Sequence, residues 1–154
     1  MPVLTHAHCP VPVVAEVQGV AIGIGTTLLQ HCDFVYAQSD SKFAVPFTQL
    51  GLCPEYAASQ RLIDIVGLRK ATEWLLLAEP FTAHEALQAG LLNQLFDDAT
   101  ELTAQVNKTV ARLVSLPRDA PAHQHARLSA PADENSAAGA RMVLPSHHGL
   151  ERAH

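Results

Sequence analysis

The sequence is poor in aromatic side chains (5%) and in charged ones (16%), although 48% of its residues are hydrophobic. That balance excludes a chain disordered throughout, because ample apolar mass is present to offset ordering entropy. Basic residues are scarce: ten Lys and Arg stand against fifteen Asp and Glu, a formal charge of −5. A nucleic-acid binder working through a general basic surface is thereby excluded. Cys9, Cys32 and Cys53 leave an odd thiol and form no C-x-x-C spacing. Such usage argues against a disulfide framework and for a reducing, cytoplasmic setting. No apolar run approaches the roughly 20 residues of a membrane-spanning helix. The opening, MPVLTHAHCPVP, lacks the basic and apolar regions of a secretory leader. A length of 154 residues accommodates one domain.

Several chemical motifs are missing too. Leu28 stands where G-x-G-x-x-G would need its last glycine, and no Gly-Lys-Ser/Thr follows. There is no G-x-S-x-G elbow, and neither Ser59 nor Cys53 has a base nearby in sequence. The pairs His6-x-His8 and His147-His148 lack carboxylate or cysteine support, so no metal site is expected.

What is present, over residues 1–116, alternates apolar runs with turn signals, the pattern of a packed α/β unit. The β-branched run Val11–Val17 reads as a buried strand ended by Gln18-Gly19. A short helix over Thr26–Cys32 follows the glycine turn Gly23-Ile24-Gly25, then strands are expected over Asp33–Ala37 and Lys42–Ala44. Two helical segments, roughly Ala57–Val66 and Arg69–Ala78, are broken at Gly67. Leu62, Ile65 and Val66 share a face of the first, and Trp74, Leu75 and Leu77 give the second its apolar mass. Thr82-Ala83-His84-Glu85 fits a capping box, and Gly90 is placed to end that helix. Leu91–Phe96 reads as a strand, and Asp97/Asp98 open a helix with a stripe of Leu102, Val106, Val110, Leu113 and Val114.

From Pro117 the character changes. The last 38 residues hold four Pro, five His and nine Ala, with no Phe, Trp or Tyr. A segment so poor in large apolar side chains is expected to form an irregular or mobile tail over 117–154.

Two stretches carry chemistry. In Gln18 to Leu29 a strand runs through closely spaced glycines straight into a helix. Amides at a helix start have no intrahelical acceptor, so such a turn either holds a phosphate or oxyanion or is a plain strand–helix turn. In Phe43 to Glu55 a lone carboxylate lies in one of the most apolar parts of the chain. Buried, Glu55 would shuttle protons near neutral pH; exposed, it would favour the start of the next helix. Arg61, Asp64, Arg69, Lys70 and Glu73 read as a solvated helix face, with Arg69 and Lys70 also able to meet a phosphate.

Taken in order, PVVAEVQGVAIGIGTTLLQHCDFVYA, KFAVPFTQLGLCPEYAASQRL and GLRKATEWLLLAEPFTAHEALQAGLLNQLF resemble the crotonase superfamily (enoyl-CoA hydratase/isomerase). The match is nearly gap-free from about Pro12 to Leu116, and residues 117–154 do not resemble the family. The resemblance implies an α/β fold, a partial crotonase-like spiral of ββα turns (residues 1–116), with the N-terminal part of the family domain absent. It implies an acyl-CoA thioester substrate, with coenzyme A as part of that substrate and no separate cofactor. It also implies a homo-oligomer, usually a trimer.

The shared chemistry is stabilisation of a thioester enolate by two backbone amides, one of which falls here on Ile24. Ala21, Gly23, Gly25, Phe47, Leu50 and Leu52 fall on the substrate-binding positions. Typical hydratases carry glutamates where this chain has Thr27 and Phe47, so ordinary hydration is disfavoured. The Δ3,Δ2-enoyl-CoA isomerase-like branch instead places its acid after L-G-x-x-P, here Leu50-Gly51-Leu52-Cys53-Pro54-Glu55. The resemblance thus assigns proton transfer to Glu55, with Phe47, Leu50 and Leu52 excluding water and keeping its pKa high. The alternative is a catalytically inactive, truncated binding or assembly module.

Overall fold

The computed structural model describes residues 11–52 and 58–117. Its strands fall into two three-stranded sheets, and the chain crosses from one to the other through short bends. Strand β1 (Val14–Val17) lies in the first sheet and β2 (Val20–Ile22) in the second, with Gly19 at φ +76° turning the chain between them. The same step recurs from β3 (Phe34–Gln38) to β4 (Lys42–Ala44), where the Ser41 amide donates to Gln38 O. The first sheet is completed by β6 (Gln94–Phe96) and the second by the two-residue β5 (Phe81–Thr82). The pairs β1–β3, β3–β6 and β2–β4 are parallel, and β5 joins β4 antiparallel, opposing Phe81 to Phe43. Two strand–bend–strand–helix units in succession are the ββα turns that the resemblance implies.

The helices start and stop on local signals. Helix α1 (Ile24–Thr27) continues as a 3₁₀ turn over Leu29–His31, in place of one helix through Cys32. Helix α2 (Ala58–Val66) ends at Gly67, whose φ of +81° a residue with a side chain rarely adopts. Helix α3 (Leu68–Thr72) widens into a π-turn over Glu73–Leu77 and closes at Ala78, a left-handed non-glycine residue with φ +56°. Helix α4 (Ala83–Gln88) has the full capping box: Thr82 Oγ1 accepts from the Glu85 amide, and Glu85 Oε2 accepts from the Thr82 amide. That backbone bond to Thr82 is the main reason the Glu85 carboxyl sits below its usual range. Helix α5 (Ala99–Ser115) is capped by Asp98, which accepts from Glu101 and Thr100 and is acidified by those two amides.

The core is built on Val17, Val35, Ala37, Phe43, Val45, Leu62, Trp74 and Phe81. Trp74 stacks on Phe81 with ring centres 3.8 Å apart and planes within 5°, and Phe43 continues the stack 5.7 Å beyond Phe81. The chain divides into two units, residues 1–9 with 13–112, and 10–12 with 113–154. All described strands belong to the first.

The structure corrects several boundaries. Val11–Val17 is a strand only from Val14, and Val20–Ile22 is a separate strand that hydrophobic periodicity does not reveal. Leu91 and Leu92 are core residues before a strand that begins at Gln94, not members of it. Ile65, Leu77 and Val110, expected on buried stripes, are exposed. The expected tail over 117–154 lies, beyond Pro117, outside the described residues.

Candidate active site

Parallel pairing of β2 with β4 sends the chain out of both strands at one end of the second sheet. The glycine turn leaves there from Ile22, and the Pro46–Leu52 loop leaves beside it, after Ala44-Val45. Gly23 takes φ +60° and ψ −118°, which turns the backbone sharply from strand to helix. Its amide donates to Ala44 O at 2.8 Å, and its carbonyl accepts from the Thr26 and Thr27 amides at 3.0 Å each. Thr26, buried, donates its hydroxyl to Ala21 O at 2.6 Å and lies 3.1 Å from Ala44 O. The turn is therefore sewn to both strands from within.

The amides of Ile24 and Gly25 come first in α1 and so precede any intrahelical acceptor. Among the described residues no backbone carbonyl takes either of them. Ile24 is itself exposed, whereas Thr27 is buried with its hydroxyl on Ile24 O. An open N–H at this turn can donate to an oxygen that gains negative charge.

The loop after β4 forms a 3₁₀ turn at Thr48–Leu50 and closes with Gly51 at φ +68°. Phe47 is 7% exposed and belongs to the core, while its carbonyl accepts from the Leu50 and Leu52 amides. Its contribution as placed is to anchor the loop. Leu50 and Leu52 are 67% and 57% exposed, apolar surfaces facing outward from the loop. Ala21 and Gly23 lie on the strand-to-turn junction, and a Cβ added at Gly25 would meet the Ala21 methyl at 3.8 Å, an ordinary contact. Glu55 lies outside the described residues.

Sequence reasoning passed over Thr26, Thr48 and Gln49. Thr48 Oγ1 donates to Leu75 O and Gln49 Nε2 to Ala78 O, partners 27 and 29 residues away. A threonine just after a glycine turn was the available signal for Thr26, since its hydroxyl can return to a nearby carbonyl. Lys70 pairs with Glu73 at 3.0 Å and lines a shallow cavity of about 210 Å³ with Val66, Glu85, Gln88 and Ala89. Among the described residues no group of three or more His, Cys, Asp or Glu is placed to hold a metal ion. No described helix is long and apolar enough to cross a membrane.

The profile of the Enoyl-CoA hydratase/isomerase family matches residues 3–148, and the chain belongs to that family. The match runs past Leu116 into the segment set apart by composition. The chain is 41% identical over 96 residues to enoyl-CoA delta isomerase 2 of Rattus norvegicus, covering 62% of this chain and 25% of that one. It is 38% identical over 104 residues to crotonyl-CoA hydratase of Syntrophomonas wolfei subsp. wolfei, covering 68% of this chain and 40% of the relative. A Thermobifida fusca YX protein assigned as an enoyl-CoA hydratase, solved in complex with CoA, superposes with a TM-score of 0.81 at 28% identity. That superposition covers 98% of this chain and 60% of the other. The chain thus spans well under two thirds of the curated relatives it matches.

Proposed function

We propose that the chain acts on acyl-CoA thioesters and shifts the double bond of a 3-enoyl-CoA to the 2-position. The observation that carries this reading is the open Ile24 amide on a turn that Gly23 and Thr26 tie to the end of β4. The thioester carbonyl oxygen accepts from that amide and, as charge develops on it, from a second one. Glu55 removes a proton from C2, and the electron pair delocalises through the thioester into a dienolate. The same carboxylic acid returns the proton at C4, leaving a 2-enoyl-CoA with no atom gained or lost.

An isomerase among the relatives supports this direction, and Thr27 and Phe47 supply no carboxylate to activate water for hydration. The site is shared chemistry for the hydratases as well, since both reactions run through a thioester enolate. The exposed Val20 and Ile22 on the edge strand β2 favour a homo-oligomer. A second reading, an inactive binding or assembly module, is favoured by Thr27 and Phe47, which stand where typical hydratases carry glutamates.

Turnover of 3-enoyl-CoA by the wild-type chain and by Glu55→Gln separates these. General acid–base catalysis is worth about 10²–10⁴-fold, and a loss of that size is expected in the variant. Equal turnover in both would remove Glu55 from the mechanism, and no turnover in the wild type would favour the inactive module.

A further inference from the structure

The Thr48–Leu50 turn has hydrogen bonds that set its shape and others that set its place. Leu50 and Leu52 donate to Phe47 O, and Gly51 donates to Thr48 O, all within the loop. Those bonds set shape and not place, and they open more readily once the loop is free to move. Beyond the Phe47 anchor in the core, its place is set by side chains reaching onto the end of the neighbouring helix. Thr48 Oγ1 donates to Leu75 O at 2.5 Å, and Gln49 Nε2 donates to Ala78 O at 3.1 Å.

The acceptors are available for a geometric reason. A helix leaves its last carbonyls without intrahelical donors, and the π-turn Glu73–Leu77 with left-handed Ala78 ends the helix here. Leu75 O and Ala78 O, at that end, are the acceptors the loop uses. Thr48 and Gln49 are exposed residues with no place in the apolar core. What they hold is the loop that leaves the second sheet beside the glycine turn.

We infer that Thr48 and Gln49 are positioning residues for the acyl-CoA site, registering the loop that carries Leu50 and Leu52 against the π-turn. The inference rests on the proposed acyl-CoA reading for its catalytic consequence, not for its structural one. An active site is sensitive to small displacements, so losing either tether should cost turnover out of proportion to stability.

The test uses the full chain with Thr48→Val, Thr48→Ser and Gln49→Leu. Thr72→Val serves as control, because the Thr72 hydroxyl makes a similar bond to Leu68 O away from the loop. In Thr48→Val and Gln49→Leu, kcat for 3-enoyl-CoA should fall about 10- to 100-fold with KM little changed. Thr48→Ser should recover most of it, and Thr72→Val should match the wild type. Amide hydrogen exchange is read in parallel: Leu50 and Leu52 should exchange faster in the two tether variants, while Gly67 and Ala71 do not. Unchanged exchange at Leu50 and Leu52 overturns the inference whatever the activity. Faster exchange with undiminished kcat in an active chain overturns the catalytic consequence. A wild type without turnover but with faster exchange in the variants fails the acyl-CoA reading and leaves the tether established.

Discussion

Gly23 donates its amide to Ala44 O across 2.8 Å, joining the turn after one parallel strand to the end of the next. This bond occupies the Gly23 N–H and leaves that of Ile24 as the first donor at the turn with no backbone acceptor among the described residues. The peptide that presents it is oriented from its other side, where the Gly23 carbonyl accepts from the Thr26 and Thr27 amides. A small strand-to-helix corner becomes a directed donor because its neighbours are already committed.

Replacing Gly23 with alanine should destabilise the chain by about 1–3 kcal/mol, the cost of a side chain in that backbone region. An added Cβ would meet nothing within 4 Å, so the penalty is torsional and not a clash. Gly25→Ala should be as stable as the wild type or up to about 1 kcal/mol better, through helix propensity. Urea midpoints of the two variants check this; equal losses would contradict the torsional account.

Thr26→Val keeps the shape of the side chain but leaves Ala21 O without its hydroxyl donor. Losing the buried Thr26 hydroxyl from this part-buried acceptor costs about 1–3 kcal/mol, and Thr26→Ser should recover most of it. Chemical denaturation of the pair is the measurement. A valine variant as stable as the wild type would show that the hydroxyl does not matter at this position.

Trp74 is the one tryptophan in the sequence, so its fluorescence reports directly on the stack with Phe81. Phe81→Ala should destabilise the fold by about 3–5 kcal/mol. It should also move the Trp74 emission toward that of a solvated indole. An unshifted emission would mean that other residues bury the ring.

Burial, aided by the adjacent Asp33 charge, pushes the Cys32 thiol from 9.0 up to about 11. The folded state then holds its proton where the unfolded state has lost it. Stability contributed by this group is intact below pH 9.0 and declines as pH rises through about 11. Iodoacetamide labelling followed by peptide mass mapping should find Cys32 nearly unreactive at pH 8 in the folded chain. Rapid labelling there would contradict its burial.

The legible parts of the fold were those written in local chemistry. The Thr82–Glu85 capping box, the breaks at Gly67 and Gly90 and the Asp98 cap each depend on residues within a few positions. Strand Val20–Ile22 was missed because only pairing with Lys42–Ala44, some 22 residues later, makes it a strand. Ile65 and Leu77 were misplaced because helical periodicity identifies an apolar face without saying whether anything covers it. At the site, the glycine turn was legible in its spacing, while the tethers of Thr26, Thr48 and Gln49 depend on carbonyls with no signature in sequence. The family profile running to residue 148 carries a related lesson. Poverty in large apolar side chains describes what a segment can bury, not what it descends from.

In the proposed mechanism the Ile24 amide receives a thioester oxygen. The direct measurement is a ¹⁵N–¹H titration of the labelled full chain with a non-reactive acyl-CoA. The account predicts the largest shifts at Ile24 and Gly25, with the amide of Gly90 unmoved. Saturable binding that leaves Ile24 and Gly25 unshifted, or no binding at all, would contradict it.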